Sequence, residues 1–154
     1  MTSLSLNSIQ EKMTEIRSYK NLTDLQISKL KSQGCNSKTW NSVWITQNTD
    51  ISKIQNVTFS SDVKIGAISG ENIAFGGVTR DNGIYNAHLH NCNIGDNPFI
   101  KNIKNYIANY IIGNNVIIEN VGRIAVHEVS TFGNGTIVET INEGGGREIP
   151  IYDN

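Results

Sequence analysis

Two stretches of this chain, Asn91–Ile103 (NCNIGDNPFIKNI) and Asn109–Val121 (NYIIGNNVIIENV), repeat one another at a constant offset of 18 residues. Asn91 matches Asn109, Ile94-Gly95 matches Ile112-Gly113, and Asn97 matches Asn115. Ile100 matches Ile118, Asn102 matches Asn120, and Ile103 matches Val121. A third echo begins at Phe132-Gly133-Asn134-Gly135 and runs on to Val138 and Ile141, with an extra pair of residues in a corner after Ile112. Backwards, Phe75-Gly76 precedes Ile94-Gly95 by slightly more than one period, with Gly83 as the place for that irregularity. Periodicity of this kind marks architectures in which each unit leans on its neighbours.

Eighteen residues divide into three flat sides of six. A three-sided coil can stack on the next at about 4.8 Å, so that each side pairs with the coils above and below. Ile94, Ile112 and Phe132 then stack inside, as do Ile100, Ile118 and Val138. Each buried aliphatic side chain contributes roughly 1.5–3 kcal/mol. Asn at the corners tolerates left-handed backbone angles, and Gly has no Cβ to obstruct them. Abundant Asn and Ile with only two Pro fits many short polar turns between β-branched residues.

Short apolar-x-apolar pieces begin near Ile51: Val57-Thr58-Phe59, Val63-Lys64-Ile65, Ile73-Ala74-Phe75, Ala87-His88-Leu89 and Cys92-Asn93-Ile94. Such alternation puts both apolar side chains on one face of a strand. Before Ile51 the pattern is helical. Leu6, Ile9, Met13 and Ile16 recur at helical spacing. Thr23 is an N-cap for a second helix carrying Leu25, Ile27 and Leu30, with Gly34 at its left-handed end. Trp40 and Trp44, four apart, share a face if that segment is helical, and cover the apolar end of the first coil.

The 154 residues suit one domain with a real core. A net charge of −1 gives no electrostatic footprint for nucleic acid. No apolar run reaches the ~20 residues of a membrane span, and Met1–Lys12 lacks the pattern of a secretory signal. Cys35 and Cys92 show no metal-ligand spacing, so a cytoplasmic protein with reduced thiols is expected. The glycosylation patterns at Asn21, Asn56 and Asn134 are then chance matches.

Val63-Lys64-Ile65-Gly66, Cys92-Asn93-Ile94-Gly95 and Tyr110-Ile111-Ile112-Gly113 resemble the repeats of the hexapeptide-repeat, left-handed parallel β-helix superfamily. The position two before the aliphatic residue, normally small, is here Val, Cys or Tyr. The segments YKNLTDLQISKLKSQGCNSKTW, YNAHLHNCNIGDN, NYIANYIIGNNVIIENV and FGNG…NEGGGREIPIYD are similar to the N-terminal part of an uncharacterised bacterial family labelled glucose-1-phosphate thymidylyltransferase-like. The resemblance implies a mainly β chain: an irregular left-handed parallel β-helix of about four to five coils under N-terminal capping α-helices. Residues 1–50 would form the helical cap and residues 51–154 the β-helix, as part of a longer protein. It implies trimerisation through the flat sides, or cover of the last coil by the remainder of a longer chain, since open strand edges are normally covered. It also implies a sugar or sugar-nucleotide ligand. The nucleotide loop of sugar nucleotidyltransferases is absent from the sequence.

His88 and His90 alternate with Ala87 and Leu89, so both should face outward. In hexapeptide acyltransferases an outward His acts as general base, because its pKa lies near neutrality. The alternative is a pair of solvated or interface imidazoles. His127 continues the Asn91–Asn109 column about two coils away. Three His on different columns cannot share one zinc, so no metal site is expected, and no cofactor. Gly144, Gly145, Gly146 and Arg147 could present backbone N–H groups and a charge to an anion, or form a flexible exit loop. Cys92 falls in an inward column as a small hydrophobe. Two functions follow: a scaffold and oligomerisation module of a sugar-nucleotide-transferase-like protein, not catalytically complete alone; or an acyltransferase using His88 or His90 with an acyl-CoA-type donor.

Overall fold

The computed structural model describes residues 17–70 and 72–126, together with the strands Ile137–Thr140 and Arg147–Pro150. The chain is mainly β. Its first strand, β1 (Lys20–Asn21), leads into α1 (Asp24–Ser32), the one α-helix among the described residues. Thr23 starts that helix through a reciprocal cap. Gln26 N–H donates to Thr23 Oγ1 at 3.3 Å, and Thr23 N–H donates to Gln26 Oε1 at 2.9 Å. Gly34, at φ +80°, ends it. Cys35 N–H then reaches Leu30 O and Gly34 N–H reaches Lys31 O, both at 3.0 Å. Leu30 is buried, whereas Leu25 does not join the core and is 84% exposed. The helix expected through Leu6, Ile9, Met13 and Ile16 lies outside the described residues.

The next strands are β2 (Asn36–Ser37), β3 (Val43–Ile45) and β4 (Ile54–Ile65). Trp40 and Trp44 do not share a helix. Trp40 opens a single 3-10 turn over Trp40–Ser42, and Trp44 lies in β3. The Trp40 ring still covers core, 6.1 Å from that of Phe59. Both β2 and β3 pair in parallel with β4, so the ladder reaches back ahead of Ile51.

Beyond β4 come β5 (Asn72–Phe75), β6 (Val78–Asp81), β7 (Gly83–Ile94), β8 (Phe99–Lys101), β9 (Ile107–Ile112), β10 (Ile117–Glu119) and β11 (Ile124–Ala125). Strand β4 pairs in parallel with β7, β7 with both β8 and β9, β8 with β10, and β9 with β11. The repeat offset is the register itself: Leu89 opposes Ile107, Ile94 opposes Ile112, and Ile100 opposes Ile118. Inward positions form aliphatic columns. Ile54, Ile84 and Ile100 are fully buried in one, and Ile45, Ile65 and Ile94 are 0–1% exposed in another.

Turns between these strands use left-handed residues in register. Asn56, Asn86, Asn102 and Asn120 all have φ between 53° and 58°. Their side chains form a continuous ladder, each Nδ2 donating to the Oδ1 of the next at 3.0–3.1 Å. Asn91 and Asn109 make a second such step at 2.9 Å. Asn97 and Asn115 mark a third corner, at φ 50° and 55°. The amide side chain thus relieves the backbone cost of the left-handed angle and links successive levels.

Two expectations are corrected. The level preceding Ile94-Gly95 is not Phe75-Gly76. Ile94 instead opposes Ile65, which lies further back in the chain than one period. The difference is an arm: β5 and β6 form an antiparallel hairpin, Phe75 opposite Val78 at its tip, inserted between β4 and β7. Val138, expected over Ile118, lies in β12 (Ile137–Thr140), which pairs antiparallel with β13 (Arg147–Pro150), Val138 opposite Ile149. Phe132 and Ile141 lie outside the described residues.

Candidate functional site

Inward packing of Val57, Phe59, Ala87 and Leu89 forces the alternate residues of β4 and β7 outward. In register, Thr58 opposes His88 and Ser60 opposes His90. His88 is half-buried and His90 exposed. Ser60 Oγ lies 2.9 Å from His88 Nε2 and 3.0 Å from His90 Nδ1, with a longer 3.4 Å contact to Leu89 O. Beyond His88 the Tyr106 ring stands edge-on at 6.4 Å, and the Arg123 guanidinium lies 5.9 Å over the Tyr106 ring. Burial, and then the neighbouring His90 charge, hold the His88 pKa below the ordinary imidazole value. The neutral form of His88, which carries a free lone pair, is thereby favoured.

The two histidines singled out from sequence are thus brought together, and a residue that sequence reading missed joins them. Ser60 lies across the inserted arm from His90, at a spacing the repeat period conceals. A register shift between Ser60 and Val63 hides it further, with Ser61 left-handed at φ 57° where Asn91 stands in β7. Its only advance signal was Val63-Lys64-Ile65-Gly66 matching Cys92-Asn93-Ile94-Gly95, which places Ser60 near His90.

Other candidates stand apart. His127, Gly144, Gly145 and Gly146 lie outside the described residues, while Arg147 opens β13 opposite Thr140. Cys92 is buried, with its S–H 3.3 Å from Ile107 O, and burial raises its pKa. It is the small buried side chain expected. Among the described residues no group of three or more His, Cys, Asp or Glu is placed to hold a metal ion. No described helix is long and apolar enough to cross a membrane.

A separate groove of about 670 Å³ runs between the β5–β6 arm and the outward column Gln55–Tyr85–Lys101–Glu119. Arg80 spans it to Glu119 at 3.6 Å and lies 6.0 Å over the Phe99 ring. Both partners of that ion pair are partly exposed, so it contributes at most about 1 kcal/mol.

Residues 19–154 match the model of the family described as Domain of unknown function (DUF4954), and the chain belongs to that family. Over 144 residues it is 29% identical to an uncharacterized protein of Treponema pallidum (strain Nichols), a match covering 86% of this chain and 20% of that protein. The chain therefore spans about a fifth of the length of that relative. No solved structure matches it.

Proposed function

We propose that this chain is an irregular left-handed parallel β-helix that serves as a scaffold and oligomerisation module, with any sugar-nucleotide-transferase-like chemistry residing elsewhere in a longer protein. The observation that carries this reading is the register. Two separate strand pairings, β7 with β9 at Leu89–Ile107 and Ile94–Ile112 and β8 with β10 at Ile100–Ile118, advance in parallel by one and the same sequence interval. Left-handed Asn at the corners and aliphatic columns inside are what a three-sided stack requires. A rod of this kind presents flat outer sides, and the module assembles as a trimer through them. Two free, buried thiols support residence in a reducing compartment, the cytoplasm. The match to only a fifth of its relative supports a role as one part of a larger protein.

Light scattering on the purified chain tests the assembly. The expected mass is three times that of the single 17.0 kDa chain. A monomer throughout the accessible concentration range would overturn the oligomerisation role. Transfer of an acyl or nucleotidyl group by the chain alone would overturn the non-catalytic one.

A further inference from the structure

The two imidazoles of β7 aim at one point. His88 Nε2 and His90 Nδ1 stand 2.9 and 3.0 Å from the same Ser60 oxygen. A hydroxyl has one proton, so it can donate to only one of two neutral nitrogens. The second nitrogen must carry its own proton and donate back. That point is held by the Ser60 oxygen; a cation taking its place, with the Ser60 side chain turned aside, would engage both nitrogen lone pairs together.

Strand geometry favours this. Residues two apart on β7 project from the same face, so the pair forms a natural pincer. The parallel neighbour Ser60 is itself in register with His90, which places its oxygen between the rings. We propose that His88 and His90 form a binding site for a divalent transition metal such as Zn²⁺ or Cu²⁺, with the Ser60 hydroxyl beside it and water completing the coordination. Imidazole nitrogen is a preferred ligand for these metals, whereas Mg²⁺ and Ca²⁺ select oxygen. Metal–nitrogen bonds of about 2.0–2.1 Å are shorter than the present contacts to Ser60 Oγ, so binding requires the Ser60 side chain to turn aside and both rings to close in. Exposure of His90 provides an entry path. The half-buried ring of His88, set edge-on to Tyr106, restricts its rotation and so lowers the ordering cost of binding.

This site stands independently of the scaffold reading. It replaces the general-base role considered from sequence, because a cation held by both rings occupies a lone pair of each. Among the described residues neither imidazole is oriented by a carboxylate; both turn to Ser60.

The test is calorimetric titration of tag-free, chelator-treated chain with ZnCl₂ and, separately, CuCl₂ near neutral pH. One equivalent per chain should bind saturably. The chain contains three His, so the controls are complete. His88→Ala and His90→Ala should each weaken binding by about tenfold or more, and His127→Ala should leave it unchanged. Ser60→Ala, which keeps both rings, should retain binding. The unmodified chain gives a second readout that no misfolded variant can confuse: Zn²⁺ should protect His88 and His90, but not His127, from diethylpyrocarbonate, read by mass spectrometry. Absence of saturable binding at roughly millimolar metal, equal protection of all three His, or an affinity indifferent to His88→Ala in a folded variant would each overturn the assignment.

Discussion

Gly95 lies so close over Gly113 that a Cβ on Gly95 would come within 2.5 Å of the Gly113 carbonyl carbon and oxygen. Neither backbone can move without breaking the Gly95 N–H to Ile112 O bond of 2.8 Å. Gly95→Ala should therefore destabilise the chain by about 1–3 kcal/mol, at the upper end because backbone is displaced as well as the Asn114 side chain. Urea denaturation measures it; an unchanged midpoint would show that adjacent levels are looser than this contact implies.

Asn102 both adopts a left-handed φ of 57° and bridges Asn86 to Asn120. Two substitutions separate these roles. Asn102→Gly removes the amide bonds and keeps the backbone free, at a cost of about 1 kcal/mol for exposed hydrogen bonds. Asn102→Ala adds about 1–2 kcal/mol of backbone strain. The Ala variant should be the less stable of the two by thermal melting.

Ile94 is fully buried between Ile65 below and Ile112 above. Ile94→Ala opens a cavity that parallel strands on both sides prevent from closing, and should cost about 2–5 kcal/mol. A loss under about 1 kcal/mol in chemical denaturation would contradict the column packing.

Register between β4 and β7 continues on both sides of the β5–β6 arm without involving it. Replacing residues 72–81 by a short Gly-Ser turn should leave the far-ultraviolet circular dichroism of a parallel β protein. It should also remove the groove bridged by Arg80 and Glu119. Collapse of the spectrum would mean that the arm is part of the core.

Cys35 and Cys92 are both buried, and burial is the main cause that raises each thiol pKa; backbone hydrogen bonds oppose it only in part. Raising a thiol pKa disfavours the reactive thiolate, so reaction with a disulfide reagent should begin at higher pH than for a free cysteine, whose pKa is about 8.5. In the folded chain at pH 8 both should react slowly, and rapidly once urea unfolds it.

Much of this architecture was legible because its period is carried by side chains that must repeat. Ile94, Ile112, Ile100 and Ile118 face one interior, and Asn102 and Asn120 face one strained corner. The levels joined by an uninterrupted period were therefore readable. Where extra chain loops out, the spacing ceases to report register. Phe75-Gly76 mimicked a repeat while forming the tip of an antiparallel arm, where a Gly pair serves a tight turn equally well. Leu25 is apolar but stands about 140° round the helix from the buried Leu30, and so faces away from the core. The outward direction of His88 and His90 followed from alternation, but Ser60 did not, because its partnership depends on a distant strand across an insertion.

Among the described residues, hydrogen bonding between the parallel strands runs from one level to the next and not past it. Such a chain has no single keystone. Its amides should surrender their protons in sequence from the margins inward, with Ile65, Leu89 and Ile94 among the last to exchange. Damage near either margin would then unravel the molecule by degrees, like a braid worked loose from its tip, while injury around Leu89 would part it in two.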